Sequence, residues 1–184
     1  METEEARPLL ILGLGNVLCA DDGLGVSAVA ELVRCYALPS TVRALDGGTL
    51  GLALMSVFDN SQDVILVDAI QADEPPGSLV RLEGEAVAPA VRTRLSVHQI
   101  GVADLLEGLR LVGAYPRSLV LLGLVPESLE LTLEPSPAIG RNLPLLVESV
   151  AAEARRLGHR LELLESRESV APSFYRAAAD TLGV

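Results

Sequence analysis

Lysine and tryptophan are absent from this sequence, and aromatic residues make up only 3% of it. Without lysine, the chain has neither the phosphate-binding lysine of a Walker loop nor a lysine that forms a Schiff base. Apolar residues nevertheless account for 49% of the 184 positions, which is enough for a solid core. Aliphatic side chains must therefore fill that core, and chemistry that depends on lysine is excluded.

Cysteine is also scarce, and acidic residues outnumber basic ones. Cys19 and Cys35 are the only cysteines and do not form a CxxC pair, so we expect reduced thiols in a cytoplasmic protein. The net charge of −11 argues against nucleic acid as a partner, because phosphate contacts need clustered cations. The apolar runs are too short to span a bilayer and the acidic start METEEAR is unlike a secretory signal, so no membrane partner is expected.

Residues 9–26 join an apolar strand to a glycine turn, two acids and a helix. The apolar run at residues 9–14 is typical of a buried parallel strand. Asp21 and Asp22 follow the glycine turn. Apolar residues at helical spacing come next, at Val26, Val29, Ala30 and Val33. Because ligands in open α/β sheets bind at the carboxyl ends of strands, these two aspartates are the first functional candidates.

Apolar strands alternate with helical patterns along the chain, which predicts an α/β protein whose sheet is covered on both faces. Further strands are predicted at residues 41–45, 63–67, 78–83 and 118–125, and an edge strand at 160–164. Helices are predicted at residues 50–58, directly after His98, and at 139–157. The helix after His98 has an apolar stripe made of Val102, Leu105, Leu106, Leu109 and Val112. We expect one domain over residues 1–165 and a tail over 166–184.

Three of the predicted strands end at acidic residues. The first precedes Asp21 and Asp22, the second ends at Asp46 and the third at Asp68. If these strands are parallel neighbours, right-handed crossovers gather all the carboxylates on one edge of the sheet. Such an edge is a poor anion site in a protein without lysine and a plausible cation site.

Each of these residues also has a structural interpretation. Asp21 or Asp22 is a suitable N-cap for the following helix, and Asp46 is suited to holding the glycine turn that follows it. Asp68 directly follows an apolar run, so its burial is costly unless it is paired or bound to a cation. His98 is the only histidine before His159, and a single histidine is more often structural than a ligand; we expect His159 to cap the dipole of the last helix.

Two other kinds of chemistry remain open at this point. Gly13 and Gly15 after a strand are typical of a dinucleotide-binding turn, and Asp46 stands where the ribose-binding acid is expected, but Leu18 replaces the third glycine. Cys19 with His98 would form a nucleophile and its base, although nothing around Cys19 indicates an activated thiol. The chain has no GxSxG nucleophile elbow.

Five sequence blocks in fixed order resemble the maturation endopeptidases of [NiFe]-hydrogenases. The resemblance spans residues 9–164 and is specific because of the order and spacing of the blocks. The blocks are Gly13-Leu14-Gly15-Asn16 with Asp21-Asp22-Gly23-Leu24-Gly25, Asp46-Gly47-Gly48-Thr49, Val67-Asp68-Ala69, Ser96-Val97-His98-Gln99 and Gly123-Leu124-Val125-Pro126-Glu127.

The resemblance implies a fold, an activity and a site. The fold is a three-layer α/β/α sandwich on a twisted, mostly parallel sheet. The activity is a metal-dependent endopeptidase that removes the C-terminal extension of the hydrogenase large-subunit precursor after nickel insertion. Asp22, Asp68 and His98 would be both the metal ligands and the catalytic residues. Two carboxylates and an imidazole suit a borderline divalent ion and leave coordination positions open.

The expected metal is nickel carried by the precursor, with no tightly bound metal of the protein's own. The loop of Asp46, Gly47, Gly48 and Thr49 lies beside the predicted site and is a candidate substrate-binding surface. We expect the hydrogenase large-subunit precursor as partner, and a monomer. The alternatives are a nickel-binding assembly chaperone without enzyme activity and a Rossmann-like nucleotide-binding protein.

Overall fold

The computed structural model describes residues 8–92 and 97–164. The strands are β1 (Leu9–Leu14), β2 (Tyr36–Ala37), β3 (Val42–Gly48), β4 (Asp63–Ala69), β5 (Leu79–Glu83), β6 (Ser118–Leu124) and β7 (Glu162–Leu163). The helices are α1 (Leu24–Cys35), α2 (Val87–Arg92), α3 (Val97–Leu111) and α4 (Pro137–Arg156). Short 3₁₀ segments cover Ala20–Gly23, Gly51–Phe58 and Gly84–Ala86. The predicted tail at 166–184 lies outside the described residues, and the domain division remains a prediction.

The main sheet has five strands in the order β3-β1-β4-β6-β5. The first four are parallel to one another, and β5 alone runs antiparallel, beside β6. The carboxyl ends of β1, β3, β4 and β6 therefore meet along one side, which we call the carboxyl edge. The prediction of a mostly parallel sheet is confirmed.

Helices cover both faces of this sheet, so the predicted three-layer α/β/α fold is also confirmed. One apolar cluster joins α1 and α4 to side chains such as Ile65 and Val67 of β4. The opposite cluster joins the Gly51–Phe58 segment, α2 and α3 to side chains such as Val64 and Leu66. Successive residues of a strand point to opposite faces, which is why this buried strand is apolar at each of these positions. In the described part of the chain no helix is long and apolar enough to cross a bilayer.

Two glycines allow α1 to approach the carboxyl edge closely. A Cβ atom on Gly25 would lie 2.1 Å from the Val67 carbonyl oxygen and 2.4 Å from that of Leu14. A Cβ atom on Gly13 would lie 2.5 Å from the Gly25 carbonyl oxygen. Only residues without a side chain fit this contact, so the first turn of α1 and the segment before it are held against β1 and β4.

Several element boundaries differ from the predictions. The strand expected to end at residue 45 continues through Asp46 to Gly48, since Asp46 pairs with Gly13 and Gly48 with Leu14 across a register shift. The helix predicted at residues 50–58 is a 3₁₀ segment, and its first residue, Gly51, has a φ of +51° that an α-helix does not contain.

Further differences occur at helix ends and at the last strand. Val112 lies beyond the end of α3 and is 64% exposed, so it is not part of the buried stripe that its four predicted partners form. The edge strand predicted at residues 160–164 pairs with β2 in a separate two-stranded sheet. The last helix begins at Pro137, earlier than predicted, because the Ser136 side chain caps it by accepting a hydrogen bond from the Ile139 N–H.

Candidate active site

A short 3₁₀ turn, Ala20–Gly23, brings two buried aspartates to the carboxyl edge. Asp21 is fully buried and Asp22 is 2% exposed. The following helix α1 has Gly23 as its N-cap, with no capping hydrogen bond from a side chain. The alternative in which Asp21 or Asp22 caps α1 is therefore wrong, and the burial of both carboxylates needs another explanation.

Asp22 is enclosed by the glycine turn that follows β1. Its Oδ2 accepts a hydrogen bond of 2.9 Å from the Asn16 backbone N–H. Gly15 has a φ of +121°, and a Cβ atom there would lie 1.8 Å from the Asp22 carbonyl oxygen. The Gly-x-Gly-Asn block thus folds around the backbone and side chain of Asp22, which explains the spacing between that block and the acids.

Asp21 has a structural role that the sequence did not reveal. Its Oδ2 accepts hydrogen bonds from the backbone N–H groups of Glu127 and Ser128, at 2.8 and 2.9 Å. Its Oδ1 accepts a third, from the Ser136 N–H at 2.7 Å. Three backbone donors compensate the buried charge, so Asp21 anchors the loop between β6 and α4. The sequence shows only two adjacent acids, and this pattern does not distinguish Asp21, which anchors the loop, from Asp22, the predicted site residue.

Asp68 is the penultimate residue of β4 and is 1% exposed. Its Oδ1 accepts a hydrogen bond of 2.7 Å from the Ala69 N–H. Gly123 lies opposite it in β6, and a Cβ atom there would lie 1.8 Å from the Asp68 carbonyl oxygen. The glycine of the Gly-Leu-Val-Pro-Glu block is therefore required by the close backbone of Asp68.

Asp22 and Asp68 are brought to the same part of the carboxyl edge. The Ala20–Gly23 turn contacts β4 directly. Gly25, three residues after Asp22, packs on the carbonyl of Val67, which immediately precedes Asp68. The fold therefore brings the turn that carries Asp22 into contact with the strand that carries Asp68, although the two residues are distant in sequence.

His98 lies in the first turn of α3. The sequence predicts it just before the helix, so the helix begins earlier than predicted. Its side chain lies outside the described residues. Gly101, almost one helical turn later, packs on Gly51: a Cβ atom on Gly101 would lie 2.8 Å from the Gly51 Cα. Since Gly51 closely follows the end of β3, the first turn of α3 lies at the carboxyl edge, as do Asp22 and Asp68.

The Asp46-Gly47-Gly48-Thr49 block ends β3 at the same edge. Asp46 accepts a hydrogen bond from the Gly48 backbone N–H, and Gly48 has a left-handed φ of +46°. Although the residue is exposed, surrounding protein withdraws enough solvent from its carboxyl group to raise the pKa of Asp46, and the Gly48 bond partly opposes this. The structural interpretation of Asp46 as the residue that holds its own glycine turn is consistent with this bond.

Comparison with known proteins shows which family this chain belongs to. A family model, HycI, hydrogenase maturation protease, matches residues 26–153. The hydrogenase 2 maturation protease of Escherichia coli (strain K12) is 38% identical over 151 residues, covering 82% of this chain and 92% of that relative. This chain belongs to the hydrogenase maturation protease family.

Other proteins of this family are also similar to the chain in sequence and in structure. The hydrogenase expression/formation protein HupD of Rhodobacter capsulatus is 34% identical over 176 residues, which cover 92% of this chain and 83% of that protein. The hydrogenase maturating endopeptidase HybD from E. coli superposes with a TM-score of 0.81 at 36% identity, covering 85% of this chain and 97% of that chain. HybD from Thermococcus kodakarensis, a [NiFe] hydrogenase maturation protease, gives 0.67 at 27% identity, covering 80% and 99%.

Membership in the hydrogenase maturation protease family confirms the sequence resemblance and shows that the chain is a protease. The nucleotide-binding alternative loses its basis, because the glycine turn of this protease encloses Asp22. The Cys19 alternative is not supported either: its Sγ lies 3.3 Å from Asn16 Nδ2, which donates a hydrogen bond to it and is not a base.

The predicted metal ligands of this protease have a suitable donor chemistry. Asp22 and Asp68 supply carboxylate oxygens that are almost completely buried, a position that is favourable only with compensating positive charge or hydrogen bonds. Among the described side chains, which do not include that of His98, no three His, Cys, Asp or Glu residues form a metal-binding group. The set of Asp22, Asp68 and His98 therefore stays a prediction.

His159 is not a surface cap for the dipole of α4. It is 3% exposed, and its Nδ1 lies 3.2 Å from the Thr41 Oγ1. The backbone N–H of His159, not its ring, donates to the Ala154 carbonyl near the end of α4. Burial lowers the pKa of His159, and the negative charge of Asp63 partly opposes that shift. This histidine is distant from the carboxyl edge, since Thr41 immediately precedes β3.

Proposed function

We propose that this protease removes the C-terminal extension of a [NiFe]-hydrogenase large-subunit precursor after nickel has been inserted. The observation that carries the proposal is the burial of two carboxylates, Asp22 and Asp68, on contacting elements at the carboxyl edge of a family protease. Relatives named hydrogenase maturation proteases match most of this chain, which supports a hydrogenase precursor as the substrate.

The two carboxylates are suited to binding a cation that the substrate carries. Asp22 and Asp68 each have one oxygen oriented by a backbone N–H, from Asn16 and Ala69 respectively. With the imidazole of His98 they would complete the coordination of nickel already held by the precursor, leaving open positions as a transient site requires.

Cleavage would take place next to this cation. A divalent ion polarises a nearby carbonyl and lowers the pKa of a bound water, and both effects favour attack of water on the peptide bond. A buried carboxylate at that position is also suited to accept the proton of the attacking water. Nickel carried by the substrate thus couples metal insertion to proteolysis, because a precursor without nickel would lack the group that these residues bind.

The loop of Asp46, Gly47, Gly48 and Thr49 is the proposed substrate-binding surface. Gly47 is buried, whereas Asp46 and Thr49 are exposed at the carboxyl edge, next to the first turn of α3. The exposed Thr49 hydroxyl and the backbone amide groups of the turn that Asp46 holds are suited to hydrogen bonding with an extended peptide. The extension would therefore lie across the end of β3 toward Asp68.

The direct test is incubation of the purified protein with nickel-loaded large-subunit precursor, followed by mass spectrometry of the precursor. A shortened large subunit and a released C-terminal peptide are expected. Binding without any change in precursor mass would instead indicate a nickel-binding assembly chaperone. The variant Asp73→Asn, at an exposed position, is a suitable control for later substitutions at Asp22 and Asp68.

A further inference from the structure

The loop between β6 and α4 exposes a row of leucines and glutamates. Its sequence from residue 127 to 134 is ESLELTLE. The exposed fractions are 48% for Leu129, 83% for Leu131 and 44% for Leu133. Single exposed leucines are common on protein surfaces, but three at alternate positions in one loop form a patch that needs an explanation.

The Ala20–Gly23 turn and the residues before it extend this patch toward the active site. Cys19 and Thr132 form an isolated parallel β-bridge, and the Ala20 N–H donates to the Thr132 carbonyl at 2.7 Å. Leu18, which is 52% exposed, directly precedes Cys19, and Leu131 directly precedes Thr132, so the bridge brings the two leucines to adjacent chain segments. We call Leu18, Leu129, Leu131 and Leu133, with Glu127 and Glu130, the acidic leucine surface.

Buried interactions hold this surface in place. The Asp21 carboxylate binds the backbone at both ends of the loop, at Glu127 and Ser128 and again at Ser136. The Asp21 N–H also donates to the Ser128 carbonyl at 3.1 Å. The loop is therefore fixed to the turn that carries Asp22, and it presents leucines to solvent from a pre-organised backbone. Pre-organisation of this kind lowers the entropic cost of binding a partner.

The charges of the surface indicate what it binds. Neither the Glu127 nor the Glu130 carboxylate makes an ion pair with a residue in the described ranges 8–92 and 97–164. Residues 126–136 contain no arginine, and the protein as a whole carries a net charge of −11. A partner with apolar side chains and basic residues is complementary to this surface, whereas an acidic partner is repelled.

We propose that the acidic leucine surface binds the precursor segment adjoining the scissile bond, an extended apolar stretch with basic side chains. The proposal rests on the proposed function, and it adds a recognition element on the Asp22 side of the site. The leucines contact apolar side chains of the precursor, and Glu127 and Glu130 pair with its basic groups.

The test compares substitutions on the surface with matched substitutions elsewhere. Leu131→Asp and Glu130→Arg change exposed side chains, so folding is expected to be preserved and is checked by thermal melting. Leu111→Asp is the control for the first because Leu111 is 87% exposed at the far end of α3. Glu148→Arg, at an exposed position of α4, is the control for the second.

The measured quantities are KM and kcat for nickel-loaded precursor, and the Kd for the same precursor by biolayer interferometry. Both surface variants are expected to raise KM and Kd on the order of tenfold with kcat nearly unchanged, whereas the controls match the wild type. The wild-type KM should rise with salt, and Glu130→Arg should reduce that dependence. If Leu131→Asp melts early, Leu131→Ser replaces it.

The outcomes separate the two proposals. Unchanged KM and Kd in both surface variants would overturn the recognition surface while leaving the protease function intact. A wild-type protein that binds but does not cleave the precursor would overturn the proposed function, and a weaker Kd in the surface variants would then still support the surface.

Discussion

The Asp21 carboxylate accepts a hydrogen bond of 2.7 Å from the backbone N–H of Ser136, a residue 115 positions further along the chain. Ser136 is also the N-cap of α4, where its side chain accepts from the Ile139 N–H. One buried carboxylate therefore joins the turn that carries Asp22 to the start of a helix on the same side of the sheet. The position of the turn that carries Asp22 depends on this link.

Asp21→Asn should destabilise the protein. The amide has a single acceptor oxygen and carries no charge, so at least one of the three backbone N–H groups now bound by Asp21 is left without its partner. An unsatisfied buried donor costs about 1–3 kcal/mol of unfolding free energy. Urea denaturation should show this loss, and Asp73→Asn, at an exposed position, should not. Equal stability of the two variants would show that the Asp21 link is not important for the fold.

Gly25→Ala and Gly140→Ala should have opposite effects on stability. A methyl group on Gly25 would meet the Val67 and Leu14 carbonyl oxygens at 2.1 and 2.4 Å, so α1 would have to move away from the sheet. Gly140 lies inside α4 with no atom within 4 Å of its Cβ position apart from the adjacent helix backbone, and alanine there should stabilise the helix by about 1 kcal/mol. Thermal melting should show a lower Tm for the first variant and a higher Tm for the second; a tolerated Gly25→Ala would mean that the contact is looser than described.

The main strands were predictable because their residues are apolar on both faces. β4 and β6 are almost completely buried, and such short continuous apolar runs between turns are typical of parallel sheets. The pairing of residues 162–163 with β2 was not predictable, because two-residue strands leave almost no pattern. The sequence predicts a helix near Gly51–Phe58 but not its 3₁₀ type, because an apolar composition of leucines and valine suits either kind of helix.

The site was predictable in part. The end of a predicted strand identifies Asp68 as a candidate, and the glycine turn identifies Asp21 and Asp22. Both features are determined by local sequence. What separates the anchor Asp21 from Asp22 is a contact with residues more than one hundred positions away, which no local pattern encodes. Likewise, His159 is buried and contacts Thr41, which its place after α4 does not reveal.

Stability should fall in mild acid because of His159. Burial lowers its pKa in the folded protein, so the unfolded chain, with a histidine pKa near about 6.5, takes up the proton first. The contribution of neutral His159 is therefore complete above that pH and is lost as the pH falls through the lowered folded-state value. In His159→Gln, unfolding free energies measured by urea between about pH 8 and 5 should depend less on pH than in the wild type. Identical pH profiles would contradict this role.

Thr49→Ala should weaken processing without changing the fold. Thr49 is exposed, and no described hydrogen bond of the fold depends on its hydroxyl, whereas the proposed extension would contact it. We expect a higher KM for precursor cleavage and an unchanged melting temperature. Unchanged cleavage kinetics would indicate that the Asp46–Thr49 loop has only a structural role, in keeping with the bond between Asp46 and Gly48.

The central claim is that nickel carried by the precursor is bound through Asp22, Asp68 and His98. Asp68→Asn keeps the size of the side chain and an oxygen that can accept the Ala69 N–H bond, so it isolates the charge. His98→Ala removes the predicted imidazole ligand. Neither substitution should prevent folding, which near-identical circular dichroism spectra would verify.

The most direct measurement is in vitro cleavage of nickel-loaded and nickel-free precursor by the wild type, Asp68→Asn and His98→Ala, read by mass spectrometry. The account predicts a shortened large subunit only for the wild type with nickel-loaded precursor. Equal cleavage of both precursors by the wild type, or full activity in either variant, would contradict it.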